Sequence, residues 1–187
     1  MSNNIIETLQ VNLGLPALQK VDPNIQEAKD VNHSTPAGKL AQAAIPTVVA
    51  GIYKLSRTEK GCAGINAANS PSSWLQVVFN DKTANVVEKV AHYSNVPREH
   101  AESQMEKMAE EAIRVIGLRQ SGTGTSVTAI RDYMSQQRHN ILVYLPAAMQ
   151  IGDLLNDNSM DDRTNKMEGP ISNLMHKIEN ALARGGS

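Results

Sequence analysis

The chain has 187 residues, with 18 Lys and Arg against 19 Asp and Glu, which gives a formal net charge of −1 at pH 7. A nearly neutral chain lacks the positive field that attracts nucleic-acid phosphates, so no nucleic-acid partner is expected. The single cysteine, Cys62, cannot form an intrachain disulfide, and residues 1–9 lack the basic and apolar regions of a secretion signal. These features predict a cytoplasmic protein of one domain.

The residue types predict an all-α protein. The chain holds one Phe, one Trp and four Tyr, and no long run alternates between apolar and polar residues. Because sandwiches and barrels depend on alternating runs rich in β-branched and aromatic residues, a sheet-based fold is not expected. We expect a single-domain helical bundle of roughly seven to nine helices.

The N-terminal third predicts a short helix and then a long one. Residues 4–13 are amphipathic and end at Gly14, a position after a helix where glycine is favoured. Residues 40–53 contain no charged residue, and their apolar side chains recur at helical spacing, which predicts a helix over about 36–55. Fourteen residues reach about 21 Å, less than the roughly 30 Å of a bilayer core. The sequence therefore predicts a buried central helix rather than a membrane span.

Pro46 and Gly51 are expected to shape this central helix. An interior proline removes one backbone donor and bends a helix. A glycine lets a neighbouring helix approach closely. We therefore expect a bent central helix around which the other helices pack.

The middle of the chain predicts an irregular stretch followed by three helices. Residues 60–71 are rich in Gly, Asn and Ser and are expected to lack regular structure. Ser70 and Pro71 are expected to start a short helix, as its N-cap and first residue. Two further helices are expected over 83–93 and over about 97–117, where a glycine closes the second.

The C-terminal part begins with a predicted linker. Residues 121–126 contain only Ser, Gly and Thr, a composition typical of flexible connections. Helices are expected over about 126–138 and 140–155, followed by an acidic loop and a final helix. The predicted organisation is a helical core over residues 1–120 with two hairpin-like units, the linker, and C-terminal helices over 127–187 that pack on the core.

The final helix carries a regular apolar stripe that predicts an interface. Its members fall at steps of three and four residues, so they share one helical face. They are Ile171, Leu174, Met175, Ile178 and Leu182. We interpret this face as a surface that contacts a partner or packs across the bundle.

Repeated short patterns link three parts of the chain. Leu13-Gly14-Leu15-Pro16 ends one helix and restarts the chain, and Ser94-Asn95-Val96-Pro97 does the same later. A pattern of Leu, Ile, Pro and Gly across the central helix returns around Pro146. These echoes suggest duplicated helical hairpins.

Leu13-Gly-Leu-Pro16, followed by Leu40-Ala-Gln-Ala-Ala-Ile-Pro46 and Ala50-Gly-Ile52, resembles the YidB-like family of helical bacterial proteins. The helices over 86–116 resemble a second such unit. The resemblance implies a helical cytosolic fold. It implies no activity and no catalytic residues.

One acidic segment has the oxygen spacing of a calcium loop. Five of its residues match positions 1, 3, 5, 9 and 12 of an EF-hand-like loop. They are Asp157, Ser159, Asp161, Asn165 and Glu168. Position 6, where the sharp turn requires glycine, is Asp162, and Arg163 and Lys166 add positive charge. A solvated acidic loop is therefore the preferred interpretation, and no metal is assigned.

The sequence shows no recognisable catalytic motif. The glycines of 117–126 could cradle a phosphate, but they follow a helix and lack the Gly-Lys-Ser/Thr ending, so a linker is preferred. Cys62 has no neighbouring histidine to act as a base. No two histidines have the i, i+4 spacing of a zinc helix; they are His33, His92, His100, His139 and His176. We expect neither enzyme activity nor a cofactor.

Several methionines recur on apolar faces, where methionine either fills a core or forms an adaptable binding groove, and core filling is preferred. They are Met105, Met108, Met134, Met149 and Met175. The preferred function is a non-catalytic protein that self-associates. The alternative is a carrier of a small apolar ligand or lipid, with its cavity beside Pro46 and Pro146. A hydrolase or metal enzyme would require His and carboxylate groups from distant segments to converge.

Overall fold

A computed structural model describes residues 3–22, 35–66, 71–120 and 127–155. Within these ranges the regular structure is helical and no β-strand occurs, which confirms the all-α prediction. The helices are α1 (Ile5–Asn12), α2 (Pro36–Ser56), α3 (Glu59–Asn66), α4 (Trp74–Phe79), α5 (Thr83–Ser94), α6 (Arg98–Gln120), α7 (Val127–Tyr144) and α8 (Ile151–Leu155). Short 3₁₀ turns cover Asn80–Lys82 and Ala147–Met149.

Helix α2 is the centre of the bundle. Pro36 is its first residue, and the Thr35 hydroxyl accepts a hydrogen bond from the Gly38 N–H at 3.1 Å, which caps the helix start. Every residue from Leu40 to Tyr53 is buried, and each of the other helices contacts α2. The predicted buried central helix is therefore confirmed. No helix within the described ranges is both long and apolar enough to cross a membrane.

Gly51 is the point where α4 packs directly on α2. A Cβ atom at this position would lie 2.4 Å from Cγ1 of Val78 and 2.7 Å from the Phe79 ring. Both distances are below van der Waals contact, so only glycine allows this approach. The close approach expected at Gly51 is confirmed.

The chain before α2 forms an extended strap over residues 15–22. At the end of α1, Gly14 adopts a left-handed φ of 62°, and the N–H of Leu15 donates to the carbonyl of Gln10 at 2.9 Å. The strap then bonds to α7, where the N–H of Val21 donates to the Val143 carbonyl at 2.8 Å. Its middle is held by the buried side chain of Gln42.

The prediction of an irregular stretch over 60–71 is wrong for its first half, which forms α3. The helix places Cys62 and Ile65 in the core, three residues apart on one face. A Cβ on Gly61 would lie 1.9 Å from the Leu55 carbonyl oxygen, so this glycine permits a tight turn out of α2. Burial of two side chains outweighs the weak intrinsic helix preference of the segment.

The two helices expected over 126–138 and 140–155 are arranged differently. Helix α7 runs unbroken from Val127 to Tyr144, and the break comes at Pro146. A proline disfavours helical backbone in the residue before it, which here is Leu145, so α7 ends at Tyr144. Pro146 therefore ends a helix, whereas Pro46 lies inside α2.

Two predicted helix boundaries are also corrected. Helix α4 begins at Trp74 with Ser73 as its N-cap, rather than at Ser70-Pro71. The carboxylate of Glu106 on α6 stabilises that start, because it accepts hydrogen bonds from the Ser73 hydroxyl and the backbone N–H groups of Trp74 and Leu75. Helix α6 continues through Gly117 to Gln120. A Cβ at Gly117 would meet open space, and its backbone needs no left-handed conformation, so this glycine does not stop the helix.

Candidate functional site

The outer face of α5 forms one wall of a groove at the protein surface. Its inner face carries Val86, Val87 and Val90, which are buried against the core. The Thr83 hydroxyl donates to the Leu75 carbonyl at 3.2 Å at the start of the helix, and Asn95 ends it in a left-handed conformation. Because α5 is fixed at both ends, its remaining face is held in a defined position at the surface.

The second wall is the 3₁₀ turn that follows α7. Pro146 ends α7, and residues 147–149 then turn so that Met149 is buried while Ala148 stays exposed. Gln150 adopts a left-handed φ of 46° and directs the chain into α8. The Lys89 ammonium donates to the Gln150 side-chain oxygen at 2.7 Å, which joins the two walls.

The space between these walls has a volume of about 520 Å³ and is open to solvent, and we call it the α5 groove. It is lined by Asn85, Glu88, Lys89, His92, Tyr93, Ala148 and Met149. Adjacent residues of a helix point about 100° apart, and Lys89 faces Gln150, so Glu88 lies on the edge farther from the turn. The groove thus offers an apolar floor near Met149, with the Glu88 carboxylate and the Lys89 ammonium on its α5 wall.

The lining of the α5 groove suits a docking surface. Within the described ranges, no three His, Cys, Asp or Glu side chains come together in a way that could hold a metal ion. Among the residues that line the groove, His92 and Glu88 are of types that bind metal ions, and a cluster of three would need one more such residue. An apolar floor beside a carboxylate and an ammonium suits an amphipathic segment.

Cys62 is not an active nucleophile in this fold. Its thiol is fully buried and donates a hydrogen bond to the Ser56 carbonyl at 2.9 Å. Burial raises the pKa of the Cys62 thiol, against a smaller opposing effect of the positive charge of Arg131. A protonated, buried thiol is a weak nucleophile, which agrees with its interpretation as an incidental cysteine.

Several polar groups are buried with no hydrogen-bond partner among the described residues. They are the Thr47 hydroxyl, the Arg131 Nε and the Tyr133 hydroxyl. The Arg119 guanidinium lies 5.4 Å from the centre of the Tyr133 ring, and burial raises the pKa of the Tyr133 hydroxyl. Thr47 lies on α2, whereas Arg131 and Tyr133 lie on α7.

The methionine prediction is confirmed where the structure describes it. The four methionines Met105, Met108, Met134 and Met149 are each at most 2% exposed and belong to the hydrophobic core. Met149 also contributes to the floor of the α5 groove. His92 lines the same groove, whereas His100 and His139 are exposed elsewhere.

Other predicted features lie outside the described residues. These are the linker over 121–126, the possible calcium loop (Asp157, Ser159, Asp161, Asn165 and Glu168) and the apolar stripe (Ile171, Leu174, Met175, Ile178 and Leu182). His33 and His176 also fall there. Comparison of the chain with protein-family models, curated proteins and solved structures gives no match.

The sequence does not by itself reveal the α5 groove as a site. One wall comes from α5 and the other from a turn more than fifty residues later, within a stretch that the sequence predicts to be helical. The signals that point to it are Pro146, which ends a helix, and the adjacent Glu88 and Lys89 on the polar face of α5.

Proposed function

We propose that this protein acts through protein contacts and self-associates through its C-terminal stripe (Ile171, Leu174, Met175, Ile178 and Leu182). The observation that carries the proposal is the regular spacing of these five apolar residues, at steps of three and four, along the predicted final helix. Five large apolar side chains on one face of the predicted final helix are stabilised by burial against another surface.

The energetics support such an interface. Full burial of a Leu, Ile or Met side chain stabilises by roughly 1.5–3 kcal/mol, so five of them supply a large gross gain. Association and side-chain ordering cost about 4–15 kcal/mol, which leaves a contact of modest net strength. Reversible self-association is the expected behaviour.

The test compares the full chain with a variant that lacks residues 168–187. Native mass spectrometry and light scattering should show multimers of the full chain and monomers of the deletion variant, with the helical circular dichroism of the bundle retained. A deletion variant that stays folded at an unchanged oligomeric mass would refute the proposal.

A pair of point variants separates the stripe from the rest of the segment. Leu174→Asp with Ile178→Asp places two charges on the stripe. Asn173→Asp with Asn180→Asp adds the same charge on the opposite face of the predicted helix. We expect the first pair to abolish multimers and the second to leave them intact.

The alternative function is the binding of a small apolar ligand or lipid. The α5 groove favours it, because its volume of about 520 Å³ is in the range of ligand sites and Met149 provides an apolar floor. The groove begins two residues after Pro146, close to one of the two expected positions. Pro46 is buried within α2 and does not line it. A mass increment matching a fatty acid in native mass spectrometry, removed by Ala148→Arg, would establish this function.

We further propose that the chain is a cytoplasmic bacterial protein related to the YidB-like family, with seven to nine helices over its whole length. The support is the Leu-Gly-Leu-Pro motif at residues 13–16 and the uncharged sequence of α2. Fractionation of expressing cells and the helical content of the full chain in circular dichroism test these points.

A further inference from the structure

The α5 groove lies where the described chain ends. Met149 forms its floor, Gln150 hydrogen-bonds to Lys89 on its wall, and α8 follows immediately. A helix of five residues is about 8 Å long, so Leu155 lies within a short distance of the groove. The Leu155 carbonyl accepts a hydrogen bond from the Lys54 ammonium of α2, which fixes this exit point.

The sequence after this exit point has a length and pattern that suit the groove. Residues 156–170 separate α8 from the apolar stripe, and a chain of that length spans at most about 50 Å even when fully extended. Short linkers give effective concentrations in the millimolar range, which favours contacts within one chain over contacts between chains. The stripe is therefore tethered near the α5 groove of its own chain.

The charges on the two sides also match. In a helix over residues 171–182, Lys177 and Glu179 flank the apolar stripe on opposite edges. Glu88 and Lys89 both lie on the α5 wall of the groove, and the Lys89 ammonium is bonded to Gln150. With the stripe covering Met149, one orientation of the segment turns its Lys177 edge toward α5 and pairs Lys177 with Glu88.

We propose that the α5 groove binds the C-terminal segment of its own chain, residues 169–182, and thereby covers the apolar stripe. The inference rests on the proposed function in one respect, since it uses the stripe as a contact surface. It adds a regulatory contact, because a stripe held in the groove must be released before it binds a second copy. Self-association then requires two forms of the monomer in equilibrium: a closed form, in which the groove holds the stripe, and an open form, in which the stripe is free to bind a second copy.

Crosslinking of paired cysteines tests the contact directly. The full chain with Glu88→Cys and Lys177→Cys is treated with a short bismaleimide, and denaturing electrophoresis separates monomers from dimers. Cys62 is fully buried, so the unsubstituted chain should remain unlabelled. The matched control is Glu59→Cys with Lys177→Cys, which places the first cysteine at an exposed position on α3.

We expect an intrachain crosslink in the Glu88→Cys pair that the control pair lacks. Crosslinked dimers instead would overturn docking within one chain, while showing that the groove receives the segment of a second copy. No crosslink above the control would overturn the α5 groove as the docking site. In that case the deletion of residues 168–187 would still test the proposed self-association independently.

A blocking variant tests the regulatory consequence. Ala148 is exposed in the groove, so Ala148→Arg fills it without disturbing the core, and Ala84→Arg is the matched control at an exposed position of α5 outside it. If the closed state holds about 90% of the chains, blocking it strengthens self-association roughly tenfold. Unchanged self-association would contradict the closed monomer. Weaker self-association would also contradict it, and is the result expected if the groove binds the segment of a second copy.

Discussion

The side-chain amide of Gln42 pairs with the backbone of Gln19 as a neighbouring strand would. Its Oε1 accepts from the Gln19 N–H at 2.7 Å, and its Nε2 donates to the Gln19 carbonyl at 3.0 Å. The same Nε2 donates to the Tyr144 carbonyl at the end of α7 at 2.7 Å. One buried glutamine on the central helix thus joins the N-terminal strap to the last turn of α7.

Replacement of this glutamine should loosen the strap and lower stability. Gln42→Leu removes three hydrogen bonds and leaves the buried Tyr144 carbonyl without this donor, whereas water can reach the exposed Gln19. We expect a loss of about 2 kcal/mol in the free energy of unfolding, measured by urea denaturation. Gln136→Leu, at an exposed position of α7, is the control and should change stability by less than about 0.5 kcal/mol. Equal effects of the two variants would contradict the role of Gln42.

The same Gly-to-Ala change should have opposite effects in two helices. Gly51→Ala places a methyl group against Val78 and Phe79 and should destabilise the fold by about 1–3 kcal/mol. Gly117→Ala meets open space inside α6 and should stabilise it by up to about 1 kcal/mol through helix propensity. Thermal denaturation measures both. A stabilising Gly51→Ala would show that α4 can move away from α2 at little cost.

Glu106 should be needed for the ordered start of α4. Glu106→Ala removes the acceptor for the Ser73 hydroxyl and two backbone N–H groups, and we expect a loss of about 1–3 kcal/mol. Trp74 is the single tryptophan, so its fluorescence reports the packing of α4. Glu110→Ala, one turn later on α6 and exposed, is the matched control. Similar fluorescence and stability in both variants would rule out the cap.

Cys62 should make stability depend on alkaline pH. Burial raises the pKa of its thiol in the folded state, so the folded chain holds this proton more tightly than the unfolded chain. The resulting stabilisation is fully present below the unfolded thiol pKa of about 8.5 and is lost as pH rises through the folded pKa. Between about pH 8 and 10 the native chain should therefore lose stability faster than Cys62→Ala in urea denaturation. Parallel pH profiles of the two would show that the thiol environment is the same in both states.

The elements predicted well share one property, which is that their signal lies within a single stretch. The uncharged residues 40–53 predict α2 because apolar spacing and absence of charge together require burial. The apolar face of α6, with Met105 and Met108, follows from the same periodicity. Helix α3 does not follow from its own sequence, because its glycines lower local helix propensity and packing against α2, α6 and α7 offsets that cost.

The helical class, the buried central helix and the burial of the described methionines could all be predicted from the amino-acid sequence. Those features depend on periodicity and composition, which are properties of neighbouring residues along the chain. The tertiary structure alone decided that Gln42 holds Gln19, that Glu106 caps α4, and that α5 and the turn at Met149 form a groove. Each of these joins residues more than twenty positions apart, and a polar side chain in a helical pattern does not specify which distant backbone group it will meet.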